Sequence, residues 1–511
     1  MTDWTAGYVA DIGYTFGYYT ELNPLRLKLA FLNRGLVPPA VGAACELGFG
    51  QGLSANVHAA ASVTTWHGTD FNPAQAGFAR ELASASGAQA FLFDESFAEF
   101  AARTDLPEFD FIGLHGIWSW ISDENRRLIV EFVRRRLKVG GVLYVSYNTL
   151  PGWGAFAPMR HLLTQHAEVV GASGRGIVSR IDEALDFTDR LLALNPLVAR
   201  ANPQVVERMR SLRGQNRQYL AHEYFNRDWH PMHFATMAEW LEPAKVQYGC
   251  SAHYLDHIDV VNLTPEQRQF LDEVPDPMFR ETVRDFMVNQ QFRRDYWVKG
   301  ARRLSPLAQA EALRAVRVML TTPRSEVSLK VTGALGEASL NAGAYEPVLE
   351  LLADHGVRTL AEIERALRVR GLTPAMVLEV AMVLVAAGHL ALVQDDAVVA
   401  QAAATCRRLN AALLDRSRGS ADVSYLASPV VGGGVPVGRV AQWFLRALAQ
   451  GKTTPQEWAA SAWEVLSAQN QKLVKDGQTL ESAQENLAEL GVQAAAFAAG
   501  QWPALKALQV V

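Results

Sequence analysis

A small, apolar segment followed by three closely spaced glycines constrains the fold of this chain more than any other feature. Residues 41–45 run directly into Glu46-Leu-Gly48-Phe-Gly50-Gln-Gly52. Glycines let a strand turn into a helix while the backbone N–H groups approach a ligand without interference from Cβ atoms. The segment therefore predicts a buried strand, a ligand-binding turn and a helix.

Two acidic residues accompany this turn. Asp70 follows it by about one helix and one strand, where a carboxylate can accept hydrogen bonds from both hydroxyls of a ribose. Glu46 closes the first strand two residues before Gly48, where an acid can face the amino group of a methionine moiety. The glycine spacing is compressed relative to G-x-G-x-x-G, so NAD or FAD binding, or close helix packing alone, are the weaker alternatives. The combination favours S-adenosyl-L-methionine as the ligand, and therefore methyl transfer with S-adenosyl-L-homocysteine as product.

Strands and helices alternate after the turn, which is the pattern of a parallel sheet with crossover helices. The predicted strands are 41–47, 64–70, 90–93, 109–115 and 141–147, and the predicted helices between them include 54–61, 73–84 and 125–137. Residues 36–155 are therefore predicted to form a doubly wound, Rossmann-like α/β domain. Ahead of it, residues 1–35 contain Tyr14, Tyr18 and Tyr19. This aromatic segment is interpreted either as a lid over the site or as a helix and turn packed on the sheet edge.

Helical periodicity dominates the remainder of the chain. Beyond residue 306, helices predicted at 347–353, 360–368 and 374–387 precede an apolar segment at 389–393, an order that resembles a winged helix. The helix at 374–387 carries Glu379 and no lysine or arginine, which favours a protein-packing module over a nucleic-acid reader.

Further candidate residues lie where the later strands end, because ligands of doubly wound sheets bind beyond the carboxyl ends of the strands. Asp94 follows the third strand and is a candidate for the adenine amino group, with Phe97 over the ring; the alternative for Asp94 is a surface turn. His115 follows the fourth strand and can orient the acceptor or relay a proton, or only bond a neighbouring loop. Tyr147 and Asn148 end the fifth strand.

With these segments, the chain resembles bacterial class I methyltransferases that carry a methyltransferase regulatory domain, represented by rickettsial protein-lysine methyltransferases. The resemblance covers roughly residues 8–300. The matching segments are residues 46–52, His115-Gly-Ile-Trp118-Ser-Trp120, residues 146–153, Tyr219-Leu-Ala-His222-Glu-Tyr-Phe225, Asp285-Phe286 and Phe292-Arg293.

The resemblance implies a domain order and an activity, whereas the site residues follow from the strand ends and motifs above. It implies a helical dimerisation or cap segment at 156–217, compatible with a homodimer, a regulatory domain at 218–305 and a C-terminal domain at 306–511. It implies N-methylation of protein lysines, with a small-molecule N- or O-methyltransferase and a non-catalytic scaffold as alternatives. The expected catalytic residues are His115, Tyr147, Tyr18 and Tyr19. The expected donor-binding residues are Glu46, Gly48, Phe49, Gly50, Gly52, Asp70, Phe71, Asn72, Asp94, Phe97, His115 and Trp118.

Composition excludes several other classes of protein. A net charge of -5 disfavours a general nucleic-acid surface. No run approaches the ~20 apolar residues that span a bilayer, so membrane insertion is not expected. No leader pattern begins the chain, and we therefore expect a cytoplasmic location. The 3 cysteines are far apart. Five histidines cluster between residues 222 and 257, but their spacing fails the zinc-protease pattern, so no metal is expected.

Overall fold

The computed structural model describes residues 15–171 and 174–511. Within these ranges, one mixed sheet contains the strands β1 to β7, which are Ala43–Leu47, Thr65–Thr69, Ala90–Phe93, Phe109–Leu114, Leu137–Asn148, Val246–Ser251 and Phe292–Lys299. Their order in the sheet is β3-β2-β1-β4-β5-β7-β6. Strands β1 to β5 pair in parallel, whereas β7 is antiparallel to both β5 and β6. The predicted doubly wound α/β sheet is confirmed.

The sheet extends beyond the domain predicted at 36–155, because β6 and β7 come from the middle of the chain. Neither strand has the apolar alternation from which strands are predicted. In β7, the charged residues Arg293 and Asp295 are both buried, and Gly249 interrupts β6. The completed sheet therefore joins residues 36–155 to part of the segment that was predicted as a separate regulatory domain.

Helices cover both faces of this sheet and build the rest of the molecule. The α-helices associated with the first five strands, α1 to α5, are Pro24–Asn33, Leu53–Ala61, Pro73–Ser86, Phe97–Ala102 and Asp123–Arg136. Between β5 and β7 follow α6 to α15, which are Leu150–Trp153, Ala157–Val169, Ile177–Ala193, Leu197–Ala201, Pro203–Arg213, Arg217–Tyr224, Phe234–Leu241, Asp259–Asn262, Pro265–Asp272 and Pro277–Met287. Short 3-10 helices are Thr20–Leu22, Trp118–Trp120, Glu242–Ala244, Tyr254–His257, Arg324–Glu326 and Arg368–Arg370.

The C-terminal part is mainly helical, as predicted. Its helices α16 to α24 are Pro306–Arg314, Ala342–Leu351, Leu360–Leu367, Pro374–Ala386, Asp396–Arg416, Arg439–Ala449, Pro455–Ala468, Ala483–Ala499 and Gln501–Ala507. Its short strands β8 to β16 are Arg317–Leu320, Lys330–Gly333, Gly336–Ser339, Arg358–Thr359, Leu390–Leu392, Tyr425–Ser428, Gly433–Pro436, Val474–Lys475 and Gln478–Thr479. Strands β11 and β12 flank β8 in a small antiparallel sheet. The winged-helix-like order stays a prediction.

The two faces of the large sheet bury different side chains, as the two-residue period of a strand requires. Along β5, Tyr144 packs in the core that contains Phe31 and Tyr296. Tyr147 packs on the opposite face, with Trp118. Among the described residues, no single helix is long and apolar enough to cross a membrane, although α18 with its 3-10 extension and α19 pass that test together as a bent pair.

The C-terminal part packs directly against the large sheet's helices. Helix α20 contacts α2 and α3. The Thr405 hydroxyl donates to the Ala60 carbonyl over 2.7 Å, and the Gln394 amide donates to the Ala61 carbonyl over 2.8 Å. The hairpin of β13 and β14 lies against Tyr18, in the segment that precedes α1. This hairpin therefore contacts the residue that adjoins Tyr19 of the candidate site.

Candidate active site

A cleft opens at the carboxyl ends of β1 to β4, where doubly wound folds bind their ligands. Its free space is about 1220 Å³, part of it open to solvent. It is lined by Tyr19, Glu46, Gly48, Phe49, Gly50, Asp70, Phe71, Asn72, Gln75, Glu95, Ser96, Phe97, His115, Gly116, Ile117, Trp120, Ile121, Ser122, Asn125 and Asp228. The structure thus brings together most of the residues predicted to bind the donor.

The glycine turn has the backbone conformation that its sequence predicts. Gly48, Gly50 and Gly52 have φ angles of 72°, 57° and 67°, in the left-handed region that side chains disfavour. The Gly48 N–H donates to the Thr69 carbonyl over 2.8 Å, which ties the turn to the end of β2. A Cβ atom on Gly48 would lie 2.4 Å from Cδ1 of Ile117, another residue of the cleft. Gly52 begins α2 and does not line the cleft.

Asp70 is fixed by the turn rather than by a cation. Its Oδ2 accepts from the Gly50 N–H over 2.8 Å, and its Oδ1 accepts from the Asn72 N–H over 3.0 Å. Burial raises the pKa of Asp70 to about 6, against these two hydrogen bonds, which lower it. Asn72 in turn caps α3, because its side chain accepts from the Ala74 N–H over 3.0 Å. The carboxylate is therefore held in one orientation at the end of β2.

Glu46 is the more deeply buried of the two acids, with 2% of its surface exposed. Its Oε2 atom has no hydrogen-bond partner in the described part of the chain. Burial, together with the nearby charge of Asp70, raises the pKa of Glu46 to about 8. A buried carboxylate of this kind is stabilised by a ligand that brings a positive charge.

These observations fit S-adenosyl-L-methionine. Glu46 provides a buried acceptor for the ammonium group of its methionine moiety, and Asp70 provides an oriented carboxylate for its ribose. Side chains are disfavoured at all three glycines, because their φ angles are left-handed and a Cβ atom on Gly48 or Gly52 would meet Ile117 or Ala79. Phe49, Phe71 and Phe97 supply apolar wall around the same cleft.

At the end of β3, the sequence predicts Asp94 as a site residue, but the cleft contains its neighbour Glu95. Asp94 does not line the cleft; its carboxylate pairs with Arg80 at the surface. Glu95 lines it instead, and its carboxylate accepts from Arg103 over 2.7 Å. The Thr69 hydroxyl donates to the Glu95 carbonyl, which draws this turn against β2. The path of the chain after β3 thus places the Asp94 side chain at the surface and Glu95 in the lining of the cleft.

His115 lies at the end of β4 between two aromatic rings. Its Nδ1 is 2.7 Å from the Tyr144 hydroxyl oxygen, and its ring stacks on Tyr19 with centroids 3.6 Å apart. Burial lowers the pKa of His115 to about 4, partly offset by the Glu21 carboxylate. The imidazole is therefore neutral at pH 7 and can accept a hydrogen bond.

A charged pair lies beside this stack. Arg294 of β7 donates to Glu21 Oε1 over 2.7 Å. Burial alone would raise the pKa of Glu21, but Arg26 and Arg294 outweigh it and lower that pKa to about 2. Glu21 is therefore ionised, and it connects the segment that bears Tyr19 to the strand contributed by the middle of the chain.

Besides Gly52 and Asp94, three further predicted residues do not line the cleft. Tyr147 is on the other face of β5, where its hydroxyl donates to Asp295 Oδ2 over 2.8 Å. Trp118 is buried on that same face. Tyr18 packs against His58 and Tyr425, away from the cleft. Tyr14 lies outside the described residues.

Residues close to them in sequence lie at or next to the cleft. Tyr144, three residues before Tyr147, contacts His115, and Trp120, two residues after Trp118, lines the cleft. The alternation of β5 could have distinguished the tyrosines, because Tyr144 and Ser146 share a face that Tyr147 does not. Ser146 indeed accepts from the Gly116 N–H over 2.8 Å, directly beside His115.

Comparison with known proteins identifies relatives of the whole chain. Residues 216–299 match the family model described as "Predicted methyltransferase regulatory domain". The uncharacterized protein sll1526 of Synechocystis sp. is 39% identical over 512 aligned residues, which cover 99% of both chains. The uncharacterized protein RP789 of Rickettsia prowazekii is 25% identical over 296 residues, 55% of this chain and 51% of that protein.

A solved structure shares the fold over nearly the full length. PKMT2 from Rickettsia typhi, solved in complex with AdoHcy, aligns with a TM-score of 0.71 at 16% identity and covers 98% of this chain and 100% of its own. Both β6 and β7 lie within the matched residues 216–299. The segment that matches the regulatory domain therefore completes the seven-stranded sheet. The predicted resemblance, in fold and in the regulatory domain, is confirmed.

Proposed function

We propose that this chain, which belongs to the family of bacterial class I S-adenosyl-L-methionine-dependent methyltransferases with a methyltransferase regulatory domain, methylates lysine side chains of a protein. The observation that carries the proposal is the pair of buried carboxylates, Glu46 and Asp70, around the left-handed glycine turn. The donor supplies an electrophilic methyl group on a sulfonium centre. Glu46 holds the ammonium of the donor and Asp70 its ribose.

The wall beside these carboxylates suits an amine acceptor. A lysine ammonium, with an ordinary pKa of ~10.4, must lose a proton before it attacks the methyl group. The partly buried wall formed by Tyr19, His115 and Trp120 disfavours the charged amine and so lowers its pKa. The neutral His115 ring then holds the amine by accepting a hydrogen bond, and the tyrosine face attracts its methylated, positively charged product.

The charge of the cleft also suits a cationic acceptor. Among the described residues, those that line the cleft include no lysine or arginine that would repel an incoming lysine. The fold shared with PKMT2, which was solved in complex with AdoHcy, is compatible with the same methyl donor. A protein lysine therefore fits the site in charge.

Labelled methyl transfer tests this function. The purified enzyme and donor labelled in its methyl group are incubated with a cell lysate, which is then separated by size and analysed by mass spectrometry. We expect label on lysine residues of a protein, and none when Asp70→Ala replaces the wild-type enzyme. Label only in small molecules would instead indicate a small-molecule N- or O-methyltransferase. No label in any fraction would indicate a non-catalytic scaffold.

A further inference from the structure

A second cavity lies in the regulatory segment, on the side of β6 and β7 that α14 and α15 cover. Its free space is about 1260 Å³, including solvent at its opening. It shares no lining residue with the donor cleft. Apart from residue 34, its lining residues all fall within residues 248–293, inside the match to the regulatory domain. It is therefore a separate feature of that domain.

Five arginines line this cavity, namely Arg34, Arg268, Arg280, Arg284 and Arg293. Two of them, Arg280 and Arg293, have hydrogen-bond acceptors supplied by the protein. Arg293 is buried and pairs with Glu281, Asp285 and Asp295 at 2.9, 2.6 and 2.9 Å. Arg280 donates twice to the Val274 carbonyl, over 3.1 and 2.6 Å.

The other three arginines form no close ion pair. Within residues 15–171 and 174–511, Arg34, Arg268 and Arg284 have no carboxylate oxygen within 4.0 Å. Arg268 Nε is buried and has no hydrogen-bond partner in those ranges. Arg284 donates to the Asp256 carbonyl over 3.0 Å, which leaves most of its five N–H groups available.

The carboxylates of the cavity act on these charges only from beyond ion-pair distance. Arg284 and Arg34 help to lower the pKa of Glu281, and Arg284 helps to lower that of Asp256. Glu281 is engaged by Arg293 and by the Tyr248 hydroxyl, which donates over 3.2 Å. Asp256 accepts from the Ser251 hydroxyl over 2.6 Å. Asp259 and Asp272 are exposed to solvent. The groups that remain available for a ligand inside the cavity are thus guanidinium groups.

We propose that this cavity, termed here the arginine cavity, binds a small oxyanion, a molecule that bears a phosphate or carboxylate group. The planar fork of a guanidinium matches the two oxygens of such groups, and charge-assisted hydrogen bonds to them are the strong ones. A bound oxyanion supplies the direct ion-pair partner that Arg268 and Arg284 lack, and an acceptor for the buried Nε of Arg268. Arg34, at the end of α1, reaches the same anion from the rim.

Titration calorimetry on the full chain tests the proposal with two probes, pyrophosphate and citrate, at constant ionic strength set with chloride. The variants are Arg268→Gln, Arg284→Gln and Arg34→Gln, with Arg210→Gln on the exposed surface of α10 as the control for loss of one charge. We expect saturable binding of at least one probe. Each cavity variant should weaken it by about tenfold or more, because each substitution removes a charge-assisted hydrogen bond to the anion. Arg210→Gln should bind like the wild type.

The outcomes separate the sources of the anion and the failure of the proposal. Binding of pyrophosphate alone identifies a phosphate ligand, and binding of citrate alone identifies a carboxylate ligand; both support the proposal. If neither probe shows saturable binding, the proposal is overturned. It is also overturned if Arg210→Gln weakens binding as much as the cavity variants do. Arg34 is exposed, so Arg34→Gln gives a result even where a substitution inside the cavity impairs folding.

Discussion

At the residue scale, the protonation of Glu46 links donor binding to pH. Its pKa in the fold is about 8, above the ordinary 4.5, because the carboxyl is buried next to Asp70. Neutral Glu46 is therefore favoured near pH 7, and its contribution to stability is lost as pH rises from 4.5 through 8. An ammonium group of the donor favours the carboxylate instead.

We therefore expect donor binding at pH 7 to release a proton. Titration calorimetry in two buffers that differ in ionisation enthalpy should give different apparent binding enthalpies for the wild-type protein. The difference should fall in Glu46→Gln, which has no proton to release at this position. Equal enthalpies in both buffers for the wild-type protein would contradict the assignment of Glu46.

His115 should affect turnover more than donor affinity. The substitution His115→Ala removes the neutral acceptor beside Tyr19, and we expect kcat to fall by about 10²-fold, the lower range for a positioned acid-base group. The affinity for S-adenosyl-L-homocysteine should change little. Steady-state kinetics and calorimetry measure the two quantities, and equal losses in both would argue against this role.

Two tyrosines of β5 give the matched comparison for His115. Tyr144→Phe removes the hydroxyl that lies 2.7 Å from His115 Nδ1, so turnover should fall. Tyr147→Phe removes a hydroxyl on the opposite face of the sheet, bonded to Asp295. It should lower stability by about 1–3 kcal/mol, because Asp295 loses a buried partner, and leave turnover near the wild-type value.

The sequence could identify strand ends but not always the residue that faces the ligand. Glu46, Asp70 and His115 were predicted because their strands end in a regular way after apolar runs. Asp94 and Glu95 are adjacent, and only the path of the turn after β3 determines which of them enters the cleft. The Thr69 hydroxyl that fixes this path belongs to another strand, so the choice depends on tertiary contacts.

At the scale of elements, the junction of β1, the glycine turn and α2 is the rigid part of the site. Gly52 has a φ of 67°, and a Cβ atom there would lie 2.5 Å from Cβ of Ala79 in α3. We expect Gly52→Ala to destabilise the fold by about 1–2 kcal/mol from the left-handed backbone alone. Thermal and urea unfolding measure this change.

Gly77→Ala is the matched control for that substitution. Gly77 lies within α3, and a Cβ atom there has no neighbour within 4 Å among the described residues. It should be neutral or stabilise the helix by up to about 1 kcal/mol, because alanine has the higher helix propensity. Equal destabilisation by both substitutions would show that the turn has no special geometric requirement.

The elements predicted from sequence and those missed differ in how they are buried. Strands β1, β3, β4 and β5 are mostly apolar segments that end in turns, which is the pattern from which strands are predicted. Strand β7 buries Arg293 and Asp295, whose charges are balanced by an ion-pair network with Glu281 and Asp285. Glu281 and Asp285 lie in α15, a separate element. The residue pattern of β7 alone therefore does not show that its buried charges are compensated.

At the scale of the whole molecule, the C-terminal part holds the N-terminal segment against the active site. The Asn23 side chain donates to the Val431 carbonyl over 3.2 Å, and Gly434 lies against the Tyr18 ring. The next residue, Tyr19, stacks on His115. The wall of the acceptor site thus depends on a hairpin more than 400 residues away in sequence, a separation of 408 between Asn23 and Val431.

Gly434→Ala should therefore lower turnover. A Cβ atom at this position would lie 2.9 Å from Cζ of Tyr18 and displace the segment that carries Tyr19. Gly438→Ala is the control, because a Cβ atom there has no neighbour within 4 Å in the described chain. We expect a severalfold loss of kcat for the first and none for the second. An unchanged kcat in Gly434→Ala would show that the hairpin does not influence the acceptor site.

The donor site itself is tested most directly by comparing two aspartates for S-adenosyl-L-homocysteine binding. Asp70 lies in the cleft, fixed by the Gly50 and Asn72 N–H groups, whereas Asp94 pairs with Arg80 outside it. By titration calorimetry, Asp70→Ala should weaken binding by about tenfold or more, because hydrogen bonds to a charged group are lost. Asp94→Ala should bind like the wild type. Wild-type affinity in Asp70→Ala, or an equal loss in Asp94→Ala, would contradict the donor site described here.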